Sequence, residues 1–255
     1  MSQKLLKKLV DKKYREETGL FLVEGKKSIE ELLASDFEVD TIYATLETLS
    51  DIEEAARAYH VRRGGRVPEV ICVTEEKLAA TGTFRSNNAG SAIAHQKAPA
   101  SPEHILEKAQ ESLVLVLDDV RDPGNLGTII RTADWFGISH IVTSLTTTDF
   151  YNPKVIAATM GSFTRVSVTS LLLPPFLKQV HAQGIETLGA FLDGENIFKM
   201  KHPTHGVLVM GSESHGISDD IAPYITKRVT IPQYGKAESL NVAIATAVIL
   251  SAFKQ

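Results

Sequence analysis

The chain has 255 residues, enough for two domains or one large one and for a full core without staples. Apolar residues make up 43% and charged residues 23%, which excludes wholesale disorder, and a net charge of −4 (27 basic, 31 acidic) excludes a nucleic-acid binder that is basic overall. One cysteine, Cys72, excludes an intrachain disulfide and a four-cysteine zinc site, and the longest near-apolar run, Val242 to Phe253, falls well short of the ~20 residues a membrane-spanning helix needs.

The N-terminus, MSQKLLKKLVDKK, has charge but no apolar stretch of the secretory kind, so a cytoplasmic protein is the simplest reading. Residues 1–15 hold Lys4, Lys7, Lys8, Lys12, Lys13 and Arg15 against one acid, Asp11. Arg57, Arg62, Arg63 and Arg66 form a second cluster around Gly64-Gly65. Either cluster could meet phosphate or be a solvated face. Leu5, Leu6 and Leu9 lie at helical spacing. Leu20–Val23 reads as a short strand, Ser28–Leu33 as helix, Thr41–Thr45 as strand, Asp51–Tyr59 as helix and Val70–Val73 as strand. This alternation predicts a small α/β unit over residues 1–96. The polar, proline-containing stretch QKAPAS opens a boundary, and 97–110 is expected to be a linker and leading helix from His104.

From 111 to 255 the pattern is more regular. Leu113–Leu117 (LVLVL) reads as a strand covered on both faces. Thr128–Phe136 reads as helix with Gly137 as its C-cap. Strands are expected near Ile138–Thr143, Val166–Thr169, Thr187–Phe191 and Val207–Met210, and helices near Pro153–Met160, Phe176–Gln183 and Ser239–Phe253. A parallel sheet with helices on both faces follows.

Three loops could carry chemistry. Asp118–Gly127 (DDVRDPGNLG) follows a buried strand, where open α/β sheets bind ligands. Gly124 and Gly127 are expected to turn the backbone tightly, and Arg131, one turn into the next helix, to reach back over the loop. Gly211–Ser218 (GSESHGIS) nearly spells a Walker A loop, but Ile217 stands where the phosphate-binding lysine must be. It also fails as a nucleophile elbow, since Ser212 replaces the first glycine. An NTPase and a serine hydrolase are both disfavoured. Ser218-Asp219-Asp220 reads as a helix N-cap, and His215 as a loop histidine. No histidine or acid pair has metal-ligand spacing, so no metal is expected. The third loop, Ile231–Ala243 (IPQYGKAESLNVA), starts the last helix. Either Ser239 or Asn241 is expected to cap it, with the other in the first turn.

Taken in order, L-D-x-V-x-D-P-G-N-L-G-x-x-x-R, V-x-G-S-E-x-x-G-I-S and I-P-x-x-G-x-x-x-S-L-N-V-A resemble the three signature motifs of the SpoU/TrmH family of RNA ribose 2′-O-methyltransferases, in the SPOUT superfamily. Lys13–Gly25 (KYREETGLFLVEG) is more loosely similar to the family's accessory RNA-binding domain. The resemblance implies a trefoil-knotted parallel-sheet methyltransferase domain, S-adenosylmethionine as cofactor and a homodimer formed through that domain. It implies that Gly211, Ile231 and Leu240 line the cofactor, and that Asn125, Arg131, Glu213, Ser239 and Asn241 are the catalytic and ribose-positioning residues. A guanidinium is rarely neutral, so Arg131 is expected to grip a phosphate and orient the hydroxyl rather than act as a base. Two positions depart from the family: Ala157 stands where many relatives carry arginine, and Gln233 where an apolar residue is usual. Ribosomal RNA is the favoured substrate because an RNA-binding domain accompanies the catalytic one, with Lys7, Lys8, Lys12, Lys13 and Arg15 as its RNA contacts. Transfer RNA is the alternative, and a non-catalytic RNA-binding or ribosome-assembly protein on the same fold is the reading from another class.

Overall fold

The computed structural model describes residues 4–64, 67–83 and 87–254. Gly65 and Arg66 lie outside the described residues, as does the side chain of Lys4. The elements run α1 (Lys4–Lys8), α2 (Lys12–Thr18), β1 (Leu20–Glu24), α3 (Lys26–Ala34), β2 (Val39–Ala44), α4 (Leu49–Arg63), β3 (Glu69–Cys72), α5 (Glu75–Ala79) and β4 (Gly90–His95). There follow α6 (Pro102–Glu111), β5 (Leu113–Leu117), α7 (Pro123–Trp135), β6 (His140–Thr143), α8 (Pro153–Ala158), β7 (Ser167–Ser170), α9 (Leu173–Ala182), β8 (Thr187–Asn196), β9 (Gly206–Met210), β10 (Lys227–Thr230) and α10 (Val242–Phe253). The chain divides into two compact units, one of Met1–Ala98 with Asp149–Arg165, the other of Pro99–Thr148 with Val166–Gln255.

The first unit is built on a four-stranded sheet of order β1-β4-β2-β3, in which β4 runs antiparallel to both its neighbours and β2 pairs parallel with β3. β4 (GSAIAH) is central and buried although small residues dominate it. A Cβ on Gly90 would lie 2.6 Å from the Tyr43 carbonyl oxygen, so the tight approach of β2 selects the small side chain. α2 is set by its ends: the Asp11 carboxylate accepts from the Tyr14 N–H, and Gly19 closes the helix in the left-handed region at φ +64. The segment 149–165 completes this unit. Phe163 packs against Phe21 and Phe37, with ring centroids 6.1 and 5.8 Å apart, and Tyr151 against Phe21 at 4.7 Å.

Arg15 is 2% exposed. Its guanidinium donates to the carbonyls of Leu9 and Val10 (2.8 Å each) and to Asp149 Oδ2 (2.5 Å). Arg15 is therefore not free to contact RNA; it fastens α2 to the segment 149–165. Losing one side of a buried ion pair typically costs about 3–5 kcal/mol, because the other charge is stranded. The second basic cluster is likewise committed in part. Arg62 donates to the carbonyls of Leu33 and Ser35 at the end of α3, and Arg63 to that of Asp36.

The second unit carries a six-stranded, all-parallel sheet of order β10-β8-β9-β5-β6-β7. Val114, Val116, Val207 and Val209 pack with Ile105 and Leu106 of α6 and Phe176 and Leu177 of α9. Their neighbours Leu115, Leu117 and Leu208 point the other way and are equally buried, so both faces are covered, as the uninterrupted apolar runs predict. From β5 the chain moves outward to β6 and β7, then returns to the other side of β5 through β8 and β9. The loops after β5 and β9 thus leave the carboxyl edge side by side at a topological switch point, where such sheets bind ligands.

Candidate active site

Adjacency of β5 and β9 puts Asp118 against the end of β9, where its N–H donates to the Met210 carbonyl (2.9 Å). The buried Asp118 carboxylate then accepts from both the N–H (2.9 Å) and the hydroxyl (2.7 Å) of Ser218, fixing the far end of the second loop. Ser218 is therefore an anchor for that loop and not a helix N-cap; the residues after it form turns and a 3-10 segment at Ala222–Tyr224. Within the loop, Ser212 and Gly216 exchange backbone hydrogen bonds of 3.0 and 2.9 Å, and Gly216 turns the chain at φ +68. Gly211 is packed so closely that a Cβ there would overlap the Gly216 carbonyl and the Ile217 nitrogen.

The first loop is shorter than the sequence suggests. α7 begins at Pro123, capped by Asp122, whose carboxylate accepts from the Asn125 N–H (2.8 Å). Gly124 and Gly127 lie inside this helix and do not turn the backbone. Pro at the first helical position, behind an aspartate cap, explains the early start. Arg131 accordingly sits about two turns into α7. It is exposed and has no hydrogen bond or ion pair among the described residues.

α10 starts at Val242, later than expected. Asn241 is its N-cap, its Oδ1 accepting from the N–H groups of Ala243 (3.0 Å) and Ile244 (3.3 Å). Ser239 is neither cap nor first-turn residue; it lies in the preceding loop without a hydrogen bond among the described residues. The helix donors settle which way the Asn241 amide faces, so its Nδ2 points across the site. It donates to Glu213 Oε1 (2.6 Å) and Asn125 Oδ1 (3.0 Å), while Asn125 Nδ2 donates to the same Glu213 oxygen (2.9 Å). One residue from each loop therefore meets in a closed polar trio, Asn125–Glu213–Asn241. Asn241 uses its full capacity of two donors and two acceptor positions, whereas Glu213 Oε2 has no partner among the described residues.

Beside the trio is a cavity of about 640 Å³, within the range of small-molecule sites. Gly211, Ile231 and Leu240 line it, as do Glu213 and Ser239; Asn125, Arg131 and Asn241 do not. Sequence reasoning missed Phe191 and Leu192 in the middle of β8, and Met210, which form apolar wall. It also missed Asp118, whose partner lies a hundred residues away. The lining includes the carboxylates of Asp193, Glu213 and Glu238 and no lysine or arginine. Such a wall suits a cation and opposes a phosphate-rich ligand. Gln233 acts within the third loop, its Nε2 donating to the carbonyls of Gly235 (3.1 Å) and Ala237 (2.8 Å). Ala157 is half-buried on α8 in the first unit.

Compared with known proteins, the chain matches the SpoU rRNA Methylase family over residues 112–251 and the MRM3-like substrate binding domain over residues 3–88. It is 32% identical over 247 residues to the 23S rRNA (guanosine(2553)-2′-O)-methyltransferase RlmP of Bacillus subtilis (strain 168), covering 96% of this chain and 92% of that protein. Among solved structures it is similar to an AdoMet-bound rRNA methyltransferase from Sinorhizobium meliloti (31% identity, TM-score 0.86, covering 99% of this chain and 93% of that one). It is also similar to a TrmH-family protein from Porphyromonas gingivalis (36% identity, TM-score 0.84, covering 98% and 96%).

Proposed function

Because this chain belongs to the SpoU rRNA methylase family, we propose that its Asn125–Glu213–Asn241 trio and adjoining cavity serve methyl transfer to a ribose 2′-hydroxyl of ribosomal RNA. The activity itself, S-adenosylmethionine-dependent 2′-O-methylation of RNA, is that of the family, whose knotted α/β fold the second unit shares. The observation carrying the site assignment is the trio itself, three loops converging on one carboxylate beside a cavity lined by no lysine or arginine.

The cavity fits the cofactor: apolar walls, acidic lining and the tight Gly211 backbone suit a cationic, adenosine-bearing molecule. When bound, S-adenosylmethionine supplies an electrophilic methyl group on a sulfonium. The residues that would hold it are Gly211, Ile231 and Leu240, through backbone and apolar contact. Asn125 and Asn241 hold the Glu213 carboxylate rigid, leaving Oε2 to accept a hydrogen bond from the ribose. Arg131 grips a phosphate of the substrate strand and Ser239 contacts the ribose. Fixing donor and acceptor in line in a water-poor pocket is the main source of rate for such a displacement.

We assign RNA docking to the first compact unit, residues 1–98 with 149–165, following the match of residues 3–88 to a substrate-binding domain, and catalysis to the second, which takes in the expected linker from Pro99. Lys7, Lys8, Lys12 and Lys13 are exposed and are the proposed contacts. Glu16 and Glu17 lie 3.7 and 3.9 Å from Lys12 and Lys13 on an exposed helix and hold those two weakly. Changing all four lysines to glutamine is expected to flatten the salt dependence of RNA binding by up to about three units of log–log slope, at ~0.7 per phosphate on single strands. An unchanged slope in filter binding would remove them from the interface.

α10 supports a homodimer. Only Thr246 and Ser251 are polar in Val242–Phe253, Thr246 bonds back to the Val242 carbonyl, and Ile244 is 54% exposed. A helix apolar all round is normally covered; a monomeric mass in sedimentation at micromolar concentration would count against the dimer. No helix among the described residues is long and apolar enough to cross a membrane, and we take the cytoplasm as the site of action.

The deciding experiment is incubation with methyl-labelled S-adenosylmethionine and total RNA from cells lacking this protein. Label in alkali-resistant dinucleotides from large-subunit rRNA is the expected result. Label in tRNA would replace the substrate, and cofactor binding with no transfer to any RNA would favour the non-catalytic reading.

A further inference from the structure

We propose that Arg121 grips a phosphate of the RNA strand and that Asp119 is the positioning residue that aims it, an inference that rests on the methyltransferase reading above. Both lie in the loop between β5 and α7, at the carboxyl edge of the parallel sheet. Asp119 adopts φ +58, one of two non-glycine residues in the left-handed region among the described residues. A residue with a Cβ is strained there, and glycine would make the same turn freely. The side chain is the reason for an aspartate rather than a glycine, and its carboxylate accepts from Thr146 as well as from Arg121. Its Oδ1 accepts from Arg121 Nε at 2.8 Å. The backbone N–H of Asp119 is tied to Ser144 Oγ at 2.9 Å, so the carboxylate is held from behind.

The pair is not there for stability. Arg121 is 74% exposed, and an ion pair that open to solvent contributes little to the folded state. Strain retained without a stability return is typical of functional positions. Held by Nε alone, the guanidinium keeps both terminal nitrogens, which have no partner among the described residues, free to bond two oxygens of one anion. Its target is the RNA and not the cofactor. No residue of the 118–122 loop lines the cavity, and the acidic lining there calls for no arginine. The same loop runs directly into the helix that carries Asn125 and Arg131, so a phosphate held at Arg121 fixes the strand beside the trio.

The test compares Arg121→Gln and Asp119→Gly with the wild type, using large-subunit rRNA from cells lacking this protein. Filter binding across a salt series is read alongside calorimetry with S-adenosylmethionine and steady-state kinetics. Arg121→Gln is expected to weaken RNA binding about tenfold, as loss of a charged hydrogen-bond pair does. Its salt slope should be shallower by about 0.7, with kcat at saturating RNA within about twofold of wild type and cofactor affinity unchanged. Asp119→Gly should weaken RNA binding about threefold while its unfolding midpoint holds or rises, since glycine relieves the strain. A purely structural Asp119 would instead lower the midpoint and leave RNA affinity alone, which overturns the aiming role. Unchanged RNA affinity in Arg121→Gln, or a loss falling on the cofactor instead, overturns the phosphate grip. A wild-type protein that binds rRNA but transfers no methyl group sinks the methyltransferase reading alone; the RNA affinities still decide Arg121.

Discussion

Replacing Asn241 by aspartate is expected to lower kcat/KM about a hundredfold while leaving the fold nearly as stable as before. Aspartate caps a helix as well as asparagine does, so the N–H groups of Ala243 and Ile244 keep their acceptor. The other oxygen, however, would face Glu213 Oε1 and Asn125 Oδ1, both acceptors, where Nδ2 now donates at 2.6 and 3.0 Å. Three acceptors cannot share that space, and Glu213 must swing out of place. A displacement of about 1 Å at a reacting site can cost on the order of a hundredfold. Asn241→Ala separates the two roles, since it should lose a similar amount of activity and, in addition, about 1 kcal/mol of stability with the cap. Kinetics with labelled cofactor and thermal unfolding together read the difference. An Asn241→Asp enzyme with near-normal turnover would show that the trio is not part of the catalytic machinery.

The second large effect is at Gly211. Its φ is not left-handed, so alanine would meet no backbone strain there. The obstacle is steric and made wholly of main chain, the Gly216 carbonyl and the Ile217 nitrogen. Main chain cannot rotate aside as a side chain does. To admit a methyl group the loop must break the paired Ser212–Gly216 hydrogen bonds. Such overpacking costs about 1–3 kcal/mol, and because Gly211–Ile217 lines the cavity, S-adenosylmethionine affinity is expected to fall about 10- to 100-fold by calorimetry. Gly216→Ala is the matched control. That position is left-handed but has open space around it, so its cost should appear in stability, with cofactor affinity changed less than about threefold. Equal effects at the two glycines would refute the steric account.

Most of this arrangement was legible because the signals were local. LVLVL gave β5, the Gly-bounded GSESHG gave the second loop, and residue types in order gave the family resemblance. What escaped was set by partners distant in sequence. β4 has few residues of high strand propensity, and its place at the centre of a sheet comes from the space beneath Tyr43. The glycines at 124 and 127 suggested a turn, although Asp122-Pro123 already carried the stronger signal of a capped helix start. Arg15 looked like one more cation in a basic segment, and only the fold reveals the carbonyls and the carboxylate that surround it. The choice between Ser239 and Asn241 as cap was likewise settled by geometry, and with it the way the Asn241 amide faces.

That the first compact unit draws on two stretches of chain bears on how the protein is made. Synthesis delivers residues 1–98 first, with Phe21 and Phe37 still lacking Phe163 and Tyr151, and Arg15 lacking Asp149. The missing cover arrives only after β5, α7 and β6 have left the ribosome. The first unit thus cannot finish folding ahead of the second, as the leading domain of a simple tandem protein would. A release of the nascent chain near residue 100 leaves an exposed aromatic surface, and a chain that begins at Pro99 carries 149–165 with nothing to fold against. The two compact units of this enzyme are therefore not made one after the other.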